Sequence, residues 1–285
     1  MYATFDLDRP QDLASALAIL KSRGVVALAG GTNLIVDLRA GRENPGRVVS
    51  LDRLETLRGI RKAGGKIMIG GRTTVTDLLL SPVIAKTAPA LAAAAGQFAG
   101  QMVRNTATVA GNIACGSPAA DLVPPLVALD AELTLVSARG RRTVPIGSFF
   151  TGYKKDVRKI GELISQISWK APPPSSCGLF YKLARRKGDA ITVVGVAVAL
   201  DANKGRCTRA RVALGAVAPI VFRAREAEAI LEGQMLTPAL IEAAAKAAAD
   251  VAKPIDDIRA SAAYRRHGVH VLVRRLIGQA WEKLS

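Results

Sequence analysis

A chain of 285 residues, 49% of them hydrophobic, is long enough to fill two cores of ordinary size, which excludes a disordered class. A formal charge of +17 invites a polyanion or nucleic acid, but the basic residues are scattered and only 4% of residues are aromatic, so no base-stacking platform emerges and steering of an anionic cofactor or docking on acidic subunits suits the pattern better. No early segment reads as a signal peptide, no apolar run reaches the ~20 residues that span a bilayer, and three scattered cysteines make neither a disulfide frame nor an iron–sulfur ligand set, so a soluble cytoplasmic protein is expected.

Residues 5–7 read as a strand and Pro10 as the first turn of a helix, whose face carries Leu13, Leu17 and Leu20 until Gly24 ends it. Residues 24–28 read as a buried strand delivering the chain to Ala29-Gly30-Gly31-Thr32-Asn33, where positive φ is open and no Cβ blocks a ligand. A short apolar segment (34–38), a turn (41–46) and another strand (48–51) complete a strand–helix–strand unit of the kind that gives a parallel sheet. Residues 66–69 begin a second sheet, and helices start at Ser81-Pro82 and Ala88-Pro89.

Phe98-Ala99 precedes a second turn of small residues, Ala107-Thr108-Val109-Ala110-Gly111-Asn112. It is expected to leave backbone donors accessible and to add hydroxyl donors from Thr108 and Ser117. Residues 122–129 read as a helix, 132–137 and 142–146 as an antiparallel hairpin, and 162–169 as the strand closing that sheet. Three prolines at 172–174 cannot donate to a ladder and mark a domain boundary. Beyond it lie two β-rich runs (191–201 and 207–217), a helix over 224–231, a helix capped by Thr237-Pro238 and a last helix over 269–284.

Backbone N–H groups bared by glycine are what a diphosphate needs, and two such turns can grip one dinucleotide from both sides. The first turn lacks the G-x-G-x-x-G spacing, so a Rossmann fold is not supported. No nucleophile, catalytic triad or paired acid–base carboxylates stand out, and His267 and His270 lack nearby acidic or thiol partners for a metal.

Ala29 to Asn33, Thr108 to Ile113 and Ser117-Pro118-Ala119-Ala120-Asp121-Leu122 resemble the two FAD-pyrophosphate loops of the flavoprotein subunit of the molybdenum hydroxylases, a family that includes the carbon monoxide dehydrogenase medium subunit and the xanthine dehydrogenase FAD domain. Phe149-Phe150-Thr151-Gly152-Tyr153-Lys154, Glu162-Leu163-Ile164 and Phe180-Tyr181-Lys182-Leu183-Ala184-Arg185-Arg186 match the family's later landmarks in order. One departure is Ala110, where the family usually has glycine; a methyl there narrows the allowed φ.

The resemblance implies an α+β fold. Its FAD-binding domain of the vanillyl-alcohol-oxidase/PCMH type would span 1–173, with a small parallel subdomain (about 1–56) and a larger, mainly antiparallel one (57–173). A three-strand, three-helix C-terminal domain would follow over 174–285. It implies noncovalent FAD, wrapped by Ala27, Leu28, Ala29, Gly30, Gly31, Thr32, Asn33 and Leu34 and closed over by Ala107, Thr108, Ala110, Gly111 and Asn112. Phe98 and Ala99 would line the pocket, Ser117 and Asp121 would hydrogen-bond hydroxyls or phosphate, Leu163 and Ile164 would wall the isoalloxazine, and Lys182 would bring a cation to its polar edge. The molybdopterin cofactor and two-iron clusters would sit on a large and a small partner subunit, in a dimer of heterotrimers. The implied function is electron transfer between those clusters and NAD, a quinone or oxygen. Reversed flow, as in 4-hydroxybenzoyl-CoA reductase, stays open, although the cluster-bearing insert of that branch is absent. A stand-alone flavoenzyme similar to UDP-N-acetylenolpyruvoylglucosamine reductase would lack the C-terminal tail, and a polyanion-binding protein would lack flavin.

Overall fold

Parallel pairing at the start of the chain follows from connectivity, since a helix separates each of the first strands from the next. The computed structural model describes residues 4–285. Asp6–Asp8 (β1), Leu13–Leu20 (α1), Val25–Leu28 (β2), Leu34–Arg39 (α2) and Arg47–Ser50 (β3) form a three-stranded sheet of order β1-β3-β2, parallel throughout. The first helix starts after Pro10 because the Asp12 carboxylate caps it, accepting from Ser15 N at 2.8 Å. β2 is half-buried and not buried as expected, because β3 holds the central place and β2 is an edge.

The second layer is antiparallel. Ile60–Ala63 (β4) and Lys66–Gly70 (β5) open it, and six helices follow: Val75–Leu80 (α3), Pro82–Thr87 (α4), Pro89–Gly96 (α5), Gln101–Thr106 (α6), Val109–Ala114 (α7) and Val123–Ala128 (α8). Glu132–Ser137 (β6) and Gly140–Pro145 (β7) make the hairpin, Phe150–Gly152 (β8) and Lys155–Asp156 (β9) a small ribbon, and Leu163–Lys170 (β10) closes a sheet of order β4-β5-β10-β6-β7. Ile67, Ile69, Leu133, Leu135, Ile167 and Trp169 of this sheet share one core with Leu78, Leu91, Ile113 and Leu126 of the helices. The edge strand β4 escapes a hydropathy reading because it carries Arg61 and Lys62 and pairs only with β5.

Ser176–Ala184 (β11), Thr192–Asn203 (β12), Arg206–Gly215 (β13) and Phe222–Arg223 (β14) form a third sheet, backed by Arg225–Leu231 (α9), Pro238–Asp250 (α10) and Ala262–Glu282 (α11). Four strands therefore replace the expected three. The addition is a two-residue edge pairing Phe222 with Leu214, too short to carry an alternation. The last helix begins at Ala262 because Ser261 caps it, accepting from Tyr264 N. Among the described residues no helix is long and apolar enough to cross a membrane.

The third sheet is tied to the second layer by polar bonds. Asp130 accepts from Arg209, Arg211 and Arg223, and Ala216 N donates to Pro118 O at 2.7 Å. Arg265, 1% exposed, donates to Val193 O, Ala216 O and Asp257, while Arg259 donates to Asp257 and Thr192 O, so the start of β12 is fixed from α11. Removing Arg265 leaves two buried carbonyls without donors. Arg265→Met should lower the unfolding free energy by roughly 2–4 kcal/mol in urea denaturation, whereas a change within ~0.5 kcal/mol would contradict this role.

Hydrogen bonds from Arg259, with the charge of Arg265, hold the Asp257 carboxyl well below the usual carboxylate range despite partial burial. A depressed carboxylate contributes stability that is complete above the unfolded value near ~4 and lost as pH falls toward the folded one. Stability should decline on acidification below about pH 4, and Asp257→Asn should make that limb shallower in acid-dependent denaturation. Equal slopes would exclude Asp257 as a contributor.

Candidate functional site

The turn after β2 begins with two glycines that do different work. Gly31 adopts φ +71°, the left-handed region that favours glycine. Gly30 is needed for space: a Cβ there would collide with the carbonyl of Thr106, and Ala107 Cα lies 3.1 Å from that position. The first turn is thus seated directly on the segment that opens the second. The N–H groups of Gly30, Gly31, Thr32 and Asn33 meet no protein acceptor among the described residues. Thr32 and Asn33 are exposed and the two glycines half-buried, so these successive donors form an open concavity of the sort that binds anions. Ala27, Leu28 and Ala29 lead into it half-buried, and Leu34 begins α2.

The second stretch behaves differently from the expectation of free donors. It is helical: α7 starts at Val109, with Thr108 as its cap accepting from Gly111 N at 3.0 Å. Val109 N donates to Thr73 O at 2.9 Å, Ala110 N to Gly71 O at 3.1 Å, and Asn112 N to Thr108 O at 2.9 Å. These donors are spent inside the protein, so this segment buttresses the first turn and does not form a second cradle. Ala110 sits in the helix, where a methyl group carries no backbone penalty; it abuts the backbone of Gly71, whose own missing Cβ makes room for the Ile164 carbonyl. Asn112 Oδ1 accepts from Leu122 N at 3.2 Å and Ser117 Oγ from Ala119 N at 3.2 Å, which order the chain up to Asp121.

Asp121 and Lys182 form one buried ion pair. Lys182 Nζ lies 2.6 Å from Asp121 Oδ2, with the two side chains 6% and 9% exposed, and donates also to Gln97 O at 3.2 Å. Thr192 Oγ1 donates to Asp121 Oδ1 at 2.5 Å. Burial pushes the Asp121 carboxyl up, against the lowering effects of Lys182 and Thr192. Lys182 is therefore no uncompensated cation, and the pair joins the third sheet to the segment following α7.

Phe98 and Ala99 are half-buried; Ala99 takes φ +35°, and Arg104 holds both their carbonyls at 2.8 and 2.7 Å. α6 runs from there to Thr106. Leu163 and Ile164 do not form a joint wall, since neighbours on a strand face opposite sides. Leu163 packs with Leu17, Leu20 and Leu54 of the small unit, and Ile164 with the core of the large one.

Several residues escaped the sequence reading: Thr106, Gly71, Gln97, Thr192 and the buried Asp37. Only Asp37 carried a signal, a carboxylate inside the apolar run 34–38. Its Oδ2 accepts from Asn33 Nδ2 at 2.7 Å and its Oδ1 from Arg42 Nε at 2.6 Å, which steadies the end of the open turn. A cavity of about 420 Å³ lies apart from these loops, against Leu183, Arg185, Val193, Arg259 and Tyr264. The candidate site is the turn, where unengaged donors converge, and not that cavity. Among the described residues no three His, Cys, Asp or Glu side chains are grouped to hold a metal ion.

Residues 3–169 match the family described as FAD binding domain in molybdopterin dehydrogenase, and residues 179–280 the CO dehydrogenase flavoprotein C-terminal domain. The carbon monoxide dehydrogenase medium chain of Hydrogenophaga pseudoflava is 32% identical over 283 residues, covering 99% of this chain and 98% of that one. The xanthine dehydrogenase FAD-binding subunit of Escherichia coli O157:H7 is 32% identical over 275 residues, covering 95% and 94%. The solved structure of carbon monoxide dehydrogenase from Hydrogenophaga pseudoflava lacking the Mo-pyranopterin moiety superposes with a TM-score of 0.96 at 32% identity, covering all of both chains. With both matches in order along nearly its whole length, and with that fold, the chain belongs to the family of FAD-binding flavoprotein subunits of the molybdenum hydroxylases.

Proposed function

We propose that this chain is the FAD-carrying electron-transfer subunit of a molybdenum-containing hydroxylase or dehydrogenase, binding FAD without a covalent bond. The observation that carries the reading is the seat of Gly30 on Thr106, which places four unengaged N–H groups at the meeting of two loops. An anionic diphosphate fits that donor set, because successive backbone N–H groups supply partial positive charge without side-chain ordering. Bound FAD supplies the redox chemistry. All else falls to the protein's own groups.

In this reading Gly30, Gly31, Thr32 and Asn33 hold the diphosphate, with Ala27, Leu28, Ala29 and Leu34 shaping its approach. Ala107, Thr108, Ala110, Gly111 and Asn112 support that turn from behind, chiefly through packing and α7. Phe98 and Ala99 line the flank, Ser117 orders the loop into Asp121, and Leu163 and Ile164 close the cores of the small and the large unit from opposite faces of one strand. Lys182, neutralised by Asp121, offers directed N–H groups and no net charge, so it orients the cofactor edge more than it shifts its potential. The matched spans support a division into an FAD-binding unit (1–173) and a C-terminal unit (174–285). The relatives named as medium chains support a large and a small partner subunit. In this reading the large one binds the molybdopterin cofactor, the small one carries iron–sulfur clusters, and the assembly is a dimer of heterotrimers. Electrons then pass between the partner's clusters and an external acceptor by way of this chain, in the cytoplasm.

The purified chain should be yellow, with one FAD released intact on denaturation; a folded preparation that stays colourless after incubation with FAD would contradict the assignment. Gly30→Ala drives a methyl into the Thr106 carbonyl and should weaken FAD at least ~10-fold in a fluorescence titration while circular dichroism stays native. Wild-type affinity in that variant would remove the seat from the account. Lys182→Met strands a buried carboxylate and should destabilise the fold by roughly 3–5 kcal/mol, read from urea midpoints, with partial recovery in the Lys182→Met/Asp121→Asn double variant.

A further inference from the structure

We infer that Lys154 is the cation that completes the diphosphate site, an assignment resting on the FAD reading above. Its backbone lies at the tip of the β8–β9 ribbon with φ +53°, the left-handed conformation that tight hairpin tips call for and that Lys204 also takes between β12 and β13 (φ +49°). That tip is anchored on Gly116, just past α7. Lys154 N donates to Gly116 O at 3.2 Å, and a Cβ on Gly116 would stand 2.8 Å from Lys154 Cα.

From that base the side chain crosses to α2. Its Nζ lies 3.7 Å from Asp37 Oδ2, the same oxygen that accepts from Asn33 Nδ2 at 2.7 Å. At that length the ammonium is attracted to the carboxylate without a hydrogen bond, and the charge of Asp37 is already balanced by Arg42, whose Nε donates to Oδ1 at 2.6 Å. All three N–H donors of the Lys154 ammonium lack an acceptor among the described residues, and the side chain is 40% exposed. Asn33 is the last residue of the open turn. An ammonium tethered to the second segment at its root and standing beside the first turn at its tip is thus left over for an anion. The backbone N–H groups provide direction, and Lys154 provides the full positive charge that they lack.

The test compares FAD with riboflavin, which carries the isoalloxazine and ribityl groups but no phosphate. Apoprotein of the full chain, as wild type, Lys154→Met and Lys154→Arg, is titrated with each at several salt concentrations, alongside thermal melts. Lys154→Met should lose about tenfold in FAD affinity at low salt, with the gap narrowing as salt screens the charge, and should bind riboflavin as wild type does. Lys154→Arg should stay near wild type for both. Wild-type FAD affinity and salt response in Lys154→Met would overturn the assignment, and so would equal losses for FAD and riboflavin, the mark of a structural role. A wild-type chain that binds no FAD would overturn the parent reading and this one together.

Discussion

The site depends on one missing atom. At Gly30 the space of a side chain is occupied by the carbonyl of Thr106, so the turn after β2 and the segment before α7 lie in contact. That contact joins two units with separate cores, the small parallel sheet with Ala16, Leu17 and Leu20 and the large antiparallel one with Ile67, Ile167 and Leu126. Any larger residue at position 30 would part them. With the seat in place, Gly31 turns the chain back and the N–H groups of four residues are presented together.

A second constraint comes from the C-terminal sheet. Lys182 and Thr192 stand on β11 and β12, yet their partner Asp121 belongs to the segment that follows α7. A buried ion pair gains little net stability over an apolar contact, but breaking one partner is costly, so the arrangement specifies position more than it adds stability. Arg265 of α11 and Arg259 just before it fix the start of β12, and Asp130 collects three arginines of the same sheet. The C-terminal unit therefore acts on the cofactor region as a brace. This also accounts for part of the basic excess, since many of these arginines are committed to ion pairs.

The fold was largely legible where local chemistry decides it. Ser81-Pro82, Ala88-Pro89 and Thr237-Pro238 start helices as read, since a proline in the first turn, joined at Ser81 and Thr237 by a hydroxyl cap, is a local signal. The glycine pair was legible as a special turn, but not which glycine served conformation and which served space. What failed depends on distant partners. Residues 108–112 looked like an open loop because the donors of Val109 and Ala110 are satisfied by Thr73 and Gly71, far back in the chain. Lys182 looked like a lone cation because Asp121, which neutralises it, is remote in sequence. Leu163-Ile164 read as one apolar face because their separate cores are a tertiary fact. Thr192 and Gln97 carried no signal at all, being neutral residues whose value lies wholly in where they point.

The division between a turn that offers its donors and a helix that has spent them is the claim most open to direct measurement. Amide resonances of the glycine-labelled chain, followed by nitrogen–proton NMR as FAD is added, report it residue by residue. Gly30 and Gly31 are expected to move downfield in proportion to occupancy while Gly111, bonded to the Thr108 hydroxyl, stays nearly still. Saturation with FAD that leaves Gly30 and Gly31 unmoved, or that shifts Gly111 in their place, would contradict the account.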